Sequence, residues 1–351
     1  MGYLALVVCF IIAVILTPYV IKLAIRIGAV DQPNDRKVHT KVMPRLGGLA
    51  IIISFYAGFL IFNTGYSEVW PILAGGLIIA IVGFLDDMIQ LSAKLKLLGQ
   101  ILAAAITVIG GLQIEFITVP FGDVIEFGYF SIPLTVIWIV GVTNAVNLID
   151  GLDGLAAGVS AIVLITISGL AITMGNPLVA LIAFLLLGST LGFLIYNFNP
   201  AKIFMGDVGS LFLGYMISVL AIMGLSKNVT LFSIMVPIII LGVPILDTVF
   251  AIVRRVVQRK PLLSPDKLHL HHCLIRLGYS HKQTVIVIYA LSSLFSLAAV
   301  IFTRSTMWGS TLTLLSLILL IELIVEVTGL VSEKYRPILS LFEGSKHKKQ
   351  L

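Results

Sequence analysis

Four stretches of this 351-residue chain gather acids, amides, bases and histidines at spacings that suit phosphate chemistry. The first is GFLDDMIQLSAKLKLLGQ, where Asp86 and Asp87 end an apolar run and Lys94 and Lys96 follow closely. A helix C-terminus carries partial negative charge, so two adjacent carboxylates there call for a cation, either a divalent metal or those lysines. The second is TNAVNLIDGLDGLAAG, in which Asn144, Asn147, Asp150 and Asp153 recur at every third residue with no base to balance them. On helical or tight-turn backbone that spacing keeps amides and carboxylates on related faces. Gly151 and Gly154 let the backbone approach a ligand closely. Asx and Gly residues also make ordinary loops, but a loop does not require so many acid and amide groups in so short a run.

The third stretch is YNFNPAKIFMGDVGSLFLG. Asn197 and Asn199 precede Pro200, and Asp207 lies between Gly206 and Gly209 where the next apolar run begins. Backbone N–H groups at a helix start suit phosphate oxygens, and Asp207 offers a hard oxygen ligand to Mg²⁺. Helix capping accounts for one residue of this cluster rather than all of it. The fourth is FAIVRRVVQRKPLLSPDKLHLHHCLIRLGYS, where Arg254, Arg255, Arg259, Lys260 and Lys267 run into His269, His271 and His272. Adjacent His271 and His272 do not easily share one ion, so a phosphate contact fits better than a structural zinc. Asp247 reads as architectural or as a support for the site, and Glu322 and Glu326 stay unassigned.

The elements that must position these groups are membrane helices. Hydrophobic residues make up 59% of the chain and charged ones only 11%, with a mean hydropathy of +1.10. A soluble fold of this size cannot hide so much apolar surface. The expected fold is an all-α, polytopic bundle of about eleven spans, because runs near the length of a crossing recur at 3–22, 47–63, 70–85, 98–112, 131–146, 155–173, 178–196, 210–226, 231–250, 284–303 and 308–330. The runs at 47–63 and 98–112 are short for a crossing. No basic residue precedes the first run while Lys22 and Arg26 follow it, the flank of a retained span rather than of a cleaved signal.

Sidedness follows from the bases. With the N-terminus outside, every Lys and Arg except Lys227 and Arg304 falls on the inner side, which is the pattern of the positive-inside rule. The C-terminus is then cytoplasmic, and the inner loops 28–46, 86–97, 144–154, 197–209 and 251–283 hold all four stretches. One catalytic membrane domain over 1–342 and a basic tail at 343–351 complete the organisation. Cys9 and Cys273 are expected on different sides, so no disulfide is predicted. The net charge of +6 reads as topology and lipid-headgroup contact, not as nucleic-acid binding.

Taken together, the segments RKVHTKVMPRLGGLAI, DD…AKLKLLGQ, NAVNLIDGLDGLAAG, NFNPAKIFMGDVGS and PDKLHLHHCLIRLGYSHKQT resemble the polyprenyl-phosphate N-acetylhexosamine-1-phosphate transferases over almost the whole chain. The HLHH loop looks like the branch that uses UDP-GlcNAc. The peptidoglycan branch, which transfers phospho-MurNAc-pentapeptide, typically carries three consecutive histidines, and here Leu270 interrupts them. The resemblance is nearest to the enzymes that begin the wall teichoic acid linkage unit.

It implies Mg²⁺-dependent transfer of GlcNAc-1-phosphate from UDP-GlcNAc to undecaprenyl phosphate, with Mn²⁺ as a substitute metal. It further implies a site on the cytoplasmic face of the cell membrane and a homodimer. Under it Asp207 binds the metal, Asp86 is the base for the lipid phosphate, and Asp87 assists or touches the metal. Asn147, Asp150, Asp153, Asn197 and Phe204 hold the uridine moiety, and Lys96 is a basic position in the site. His269, His271 and His272, with Arg254 and Arg255, lie near the phosphates or sugar. A secondary transporter is the reading from another class. It would place acids near the bilayer midplane with repeats or broken helices, whereas here the acids cluster at span ends.

Overall fold

Helices account for nearly all of the regular structure, as expected of backbone that must satisfy its own hydrogen bonds in lipid. The structure is a computed structural model and describes residues 2–31, 42–62, 65, 69–118, 124–225, 234–259, 268–330 and 336–340. The basic tail, Lys260 and Lys267, and the first residues of the ninth predicted span lie outside the described residues.

The long helices are α1 (Gly2–Ile27), α2 (Gly48–Phe62), α3 (Trp70–Ile89), α4 (Ala93–Ile109), α5 (Ser131–Leu148), α6 (Leu155–Thr173), α7 (Pro177–Asn197) and α8 (Gly206–Leu225). They are followed by the short α9 (Met235–Ile240), α10 (Gly242–Val257), the short α11 (Leu270–Arg276), α12 (His281–Arg304) and α13 (Met307–Thr328). Two small antiparallel ribbons join Val30–Asp31 to Met43–Pro44 and Phe116–Thr118 to Val124–Glu126. Eight of these helices are long and apolar enough to cross a membrane, and α2 is a shorter apolar helix. The chain is therefore an all-α polytopic membrane protein.

Two of the expected spans take another form. The run expected at 98–112 begins earlier, at Ala93, because Ser92 caps α4 by accepting the Leu95 N–H. The run expected at 231–250 is broken. Pro237 and Pro244 each stand near a helix start, the position where a missing N–H costs nothing, and the chain restarts between them at Leu241. After the break α10 is two-faced. Val243, Pro244, Asp247, Ala251 and Arg254 face inward, while Val249, Ile252, Val253, Val256 and Val257 face out.

The core centres on α8, which packs against α2, α3, α5, α6, α7 and α9. Small residues set how closely it is approached. A Cβ on Gly48 of α2 would overlap the Gly209 Cα, and one on Gly83 of α3 would lie 2.5 Å from the Val208 Cα. Close backbone approach of this kind is how helices associate without a hydrophobic driving force between them. Both contacts fall at the first turn of α8, so the packing that builds the core also fixes the end that carries Asp207. At the other end of the same helices, a cavity of about 680 Å³ is lined by Pro71, Gly110, Gln113, Trp138, Asn176 and Met223, among others.

Candidate active site

The charged groups predicted from sequence converge where α3, α4 and α8 meet. Lys96, in the first turn of α4, places Nζ 3.2 Å from Asp86 Oδ2 and 2.9 Å from Asp207 Oδ2. One ammonium thus bridges two carboxylates from different helices. Asp87 points the other way. Its side chain is fully buried and lies 3.2 Å from the Arg45 guanidinium. Its Oδ1 and Oδ2 accept the backbone N–H groups of Asp207 and Val208, each at 3.0 Å. Asp87 therefore caps α8 from a neighbouring helix, satisfying donors that a helix start leaves open.

The turn that enters α8 requires glycine. Gly206 has φ +73°, a conformation costly for other residues, and a Cβ there would overlap the Arg45 carbonyl oxygen. Residues 44–48 run alongside. Phe204 donates its N–H to the Pro44 carbonyl at 2.8 Å, Gly47 donates to Phe204 at 3.0 Å, and Gly48 donates to Met205 at 2.8 Å. Phe204 is partly exposed at this edge.

The turn 149–154 supplies the next layer. Asn147 donates to the Ser210 hydroxyl at 2.8 Å. Asp153 Oδ2 accepts from the Asn199 amide and the Ala201 N–H, both at 3.0 Å. Asn197 is buried, accepting from Gly154 N–H at 3.1 Å and donating to the Ile203 carbonyl at 3.0 Å. Asn197 and Asp153 therefore staple the 149–154 turn to the 197–205 loop. Asn144 exchanges amide hydrogen bonds with Gln100 at 2.6 and 3.3 Å. Burial pushes the Asp150 carboxyl up to about 8, helped by the charges of Asp207 and Asp87 against the opposing pull of Arg45.

The histidines sit on α11 and its cap. His269 Nδ1 lies 2.8 Å from Asp247 Oδ2, and both groups are buried. The His269 and His271 rings are parallel with centroids 6.0 Å apart, and His271 meets His272 at 4.2 Å. His271 is buried, His272 exposed. A Cβ on Gly151 would lie 2.5 Å from His271 Nε2, so the HLHH segment rests on the 149–154 turn. Burial, then the neighbouring His272, lowers His271 to about 3, leaving a neutral ring at physiological pH.

Of the two arginines singled out from sequence, Arg254 is buried and donates to the Leu330 carbonyl, and Arg255 is partly exposed. Arg45, Gln100 and Ser210 join the site without standing out in the sequence. Gln100 carried a signal, a polar amide within an apolar run. Arg45 carried only its place before Gly47 and Gly48.

Among the described residues, no trio of His, Cys, Asp and Glu forms an all-protein metal cage. The donor set still suits Mg²⁺, which keeps waters and binds through one or two carboxylates plus substrate phosphates. Among the described residues, Asp86, Asp87, Asp150 and Asp207 have Lys96 and Arg45 as their basic partners. Burial first, and then those neighbouring negative charges, keep the Asp150 carboxyl raised.

Residues 69–225 match the sequence profile described as glycosyl transferase family 4. A Bacillus subtilis (strain 168) protein named "Probable undecaprenyl-phosphate N-acetylglucosaminyl 1-phosphate transferase" is 52% identical over 342 residues, covering 97% of this chain and 95% of that one. The chain belongs to glycosyl transferase family 4. A second similar member, from Mycolicibacterium smegmatis, is named decaprenyl-phosphate N-acetylglucosaminephosphotransferase; it is 40% identical over 78% of this chain and 75% of its own length. A phospho-N-acetylmuramoyl-pentapeptide-transferase of Halalkalibacterium halodurans is 34% identical over 85% of this chain and 96% of its own length. The family segment 69–225 contains the DD pair, Lys96, the 149–154 turn and Asp207 but stops short of the histidines.

Proposed function

We propose that this family 4 transferase moves GlcNAc-1-phosphate from UDP-GlcNAc to undecaprenyl phosphate, releasing UMP. The near-full-length similarity to the Bacillus subtilis protein carries the reading. In the reaction an oxygen of the lipid phosphate forms a new bond to the sugar-bearing phosphorus, and the bond from that phosphorus to the UMP oxygen breaks. The product is a polyprenyl diphosphate bearing GlcNAc. Little covalent work falls to the protein, so positioning and charge neutralisation dominate.

Asp207 is the residue that would hold Mg²⁺, with Mn²⁺ able to replace it, and Asp87 serves it by fixing the turn from which it projects. The bound ion would supply charge neutralisation on the donor pyrophosphate. Asp86, steadied by Lys96, accepts the proton of the lipid phosphate when that group arrives protonated. The 149–154 turn with Asn147 and Phe204 receives the uridine moiety, and Asn197 serves it by holding that turn to the 197–205 loop. The HLHH segment lies on the phosphate and sugar side.

Eleven crossings, an outer N-terminus and a cytoplasmic C-terminus put the site at the inner headgroup level, where a soluble donor and a lipid phosphate meet. The product would feed a cell-envelope polymer, wall teichoic acid being the one the resemblance favours. A homodimer accords with the same resemblance. Membranes containing the protein should convert UDP-GlcNAc, and not UDP-MurNAc-pentapeptide, into lipid-linked product, followed by mass analysis of the lipid. Product from the peptide donor alone would assign the chain to the peptidoglycan branch.

A further inference from the structure

Asp247 lies on α10, apart from the acid–lysine centre, and the chemistry above leaves it without a task. Its carboxylate is buried, with only 2% of the side chain exposed. Oδ1 accepts the Leu270 N–H at 2.7 Å, and Oδ2 meets His269 Nδ1 at 2.8 Å. A carboxylate so removed from water persists only when its oxygens are partnered. Both partners here belong to the HLHH segment. One oxygen anchors the first turn of α11, and the other fixes the ring of the residue that caps it.

The bond to the ring has a chemical consequence that the bond to the backbone lacks. An ionised carboxylate only accepts hydrogen bonds, so Nδ1 of His269 must carry the hydrogen. The ring is thereby held in one tautomer with Nε2 as its remaining nitrogen. Its plane is also set, parallel to His271, which in turn rests on Gly151. A purely structural cap would need only the Leu270 N–H.

We propose that Asp247 is the positioning residue for His269, fixing its Nδ1–H form and orienting Nε2 toward the phosphates of the sugar donor. The inference rests on the transferase reading. Carboxylates that orient a histidine in this way govern activity without touching substrate.

The test is a double-mutant cycle with Asp247→Asn and His269→Ala, measured as donor kcat and KM in detergent-solubilised full-length protein. Asn keeps the volume and an acceptor for Leu270, but its amide N–H₂ would drive the opposite tautomer. Asp247→Asn should lower kcat by about ten-fold or more, with donor KM changed by less than about three-fold. In the His269→Ala background the same change should have little further effect, since both act through one ring. A wild-type kcat for Asp247→Asn, or effects that multiply in the double variant, would overturn the proposal. If Asp247→Asn does not fold, Asp247→Glu, which keeps the charge, should retain more activity than Asp247→Ala at equal folded yield, and equal activity overturns it too. Wild-type turnover of UDP-GlcNAc tests the reaction separately. Should the wild type consume only the peptide donor, the reaction reading fails, while the cycle run on that donor still decides the role of Asp247.

Discussion

Asp150 sits in the 149–154 turn with its carboxyl raised to about 8 by burial and by the charges of Asp207 and Asp87. Its ordinary value is 3.8, so between those limits the folded protein holds a proton that the unfolded chain releases. Stability from this group is therefore complete below about pH 4 and is lost as pH rises through about 8. Metal-free protein in detergent should melt at progressively lower temperature from pH 5 to pH 8, and Asp150→Asn should flatten that dependence. Parallel profiles for the two proteins would contradict the charge crowding described for the site. At this scale the sequence named most of the residues but not their partnerships. Asp87 and Asp207 were both visible as acids, yet the bond from one carboxylate to the other's N–H joins positions 120 residues apart. A carboxylate that caps a helix of another segment has no local spacing to betray it.

At the scale of elements, the entry to α8 decides the site, since Gly206, Asp87 and Arg45 meet there. Gly206→Ala adds a methyl where the Arg45 carbonyl already lies, at a positive φ. It should displace the first turn, reduce turnover by about 100-fold or more, and lower the melting temperature. Activity and melting both near wild type would show that the turn tolerates movement. Element existence was legible because apolar run length tracks a crossing, while element ends were not. Hydropathy averages across the break at Leu241, so α9 and α10 read as one run. Lys94 and Lys96 are unfavourable near a helix start, so α4 reads as beginning later than Ser92 allows.

For the whole molecule, the distribution of Lys and Arg implies which end of the bundle faces the cytoplasm. Tyr129, 95% exposed in the connection before α5, and Tyr279, in the turn before α12, fall on opposite sides in the proposed topology. In a background lacking Cys9 and Cys273, Tyr129→Cys should react with a membrane-impermeant maleimide in intact cells. Tyr279→Cys should react only after permeabilisation. Labelling of both, or the reverse order, would overturn the orientation and with it the cytoplasmic site. Fold class was the most legible feature, because it depends on summed composition. The site's architecture depends on single contacts between segments far apart in the chain.

The junction of Arg45, Asp87 and the first turn of α8 also imposes an order on biosynthesis. Arg45 leaves the ribosome before Asp87, and Lys96 before Asp207, so each base is waiting when its partner from a later segment arrives. Asp87 lacks its backbone donors until α8 has been made. Domains fold as units, and here the seventh helix ends with Asp87 still short of both its backbone donors. The arrival of the eighth is the event that supplies them. A nascent chain stalled before that point would present a half-neutralised carboxylate, a chemical mark of incompleteness that the finished protein no longer displays.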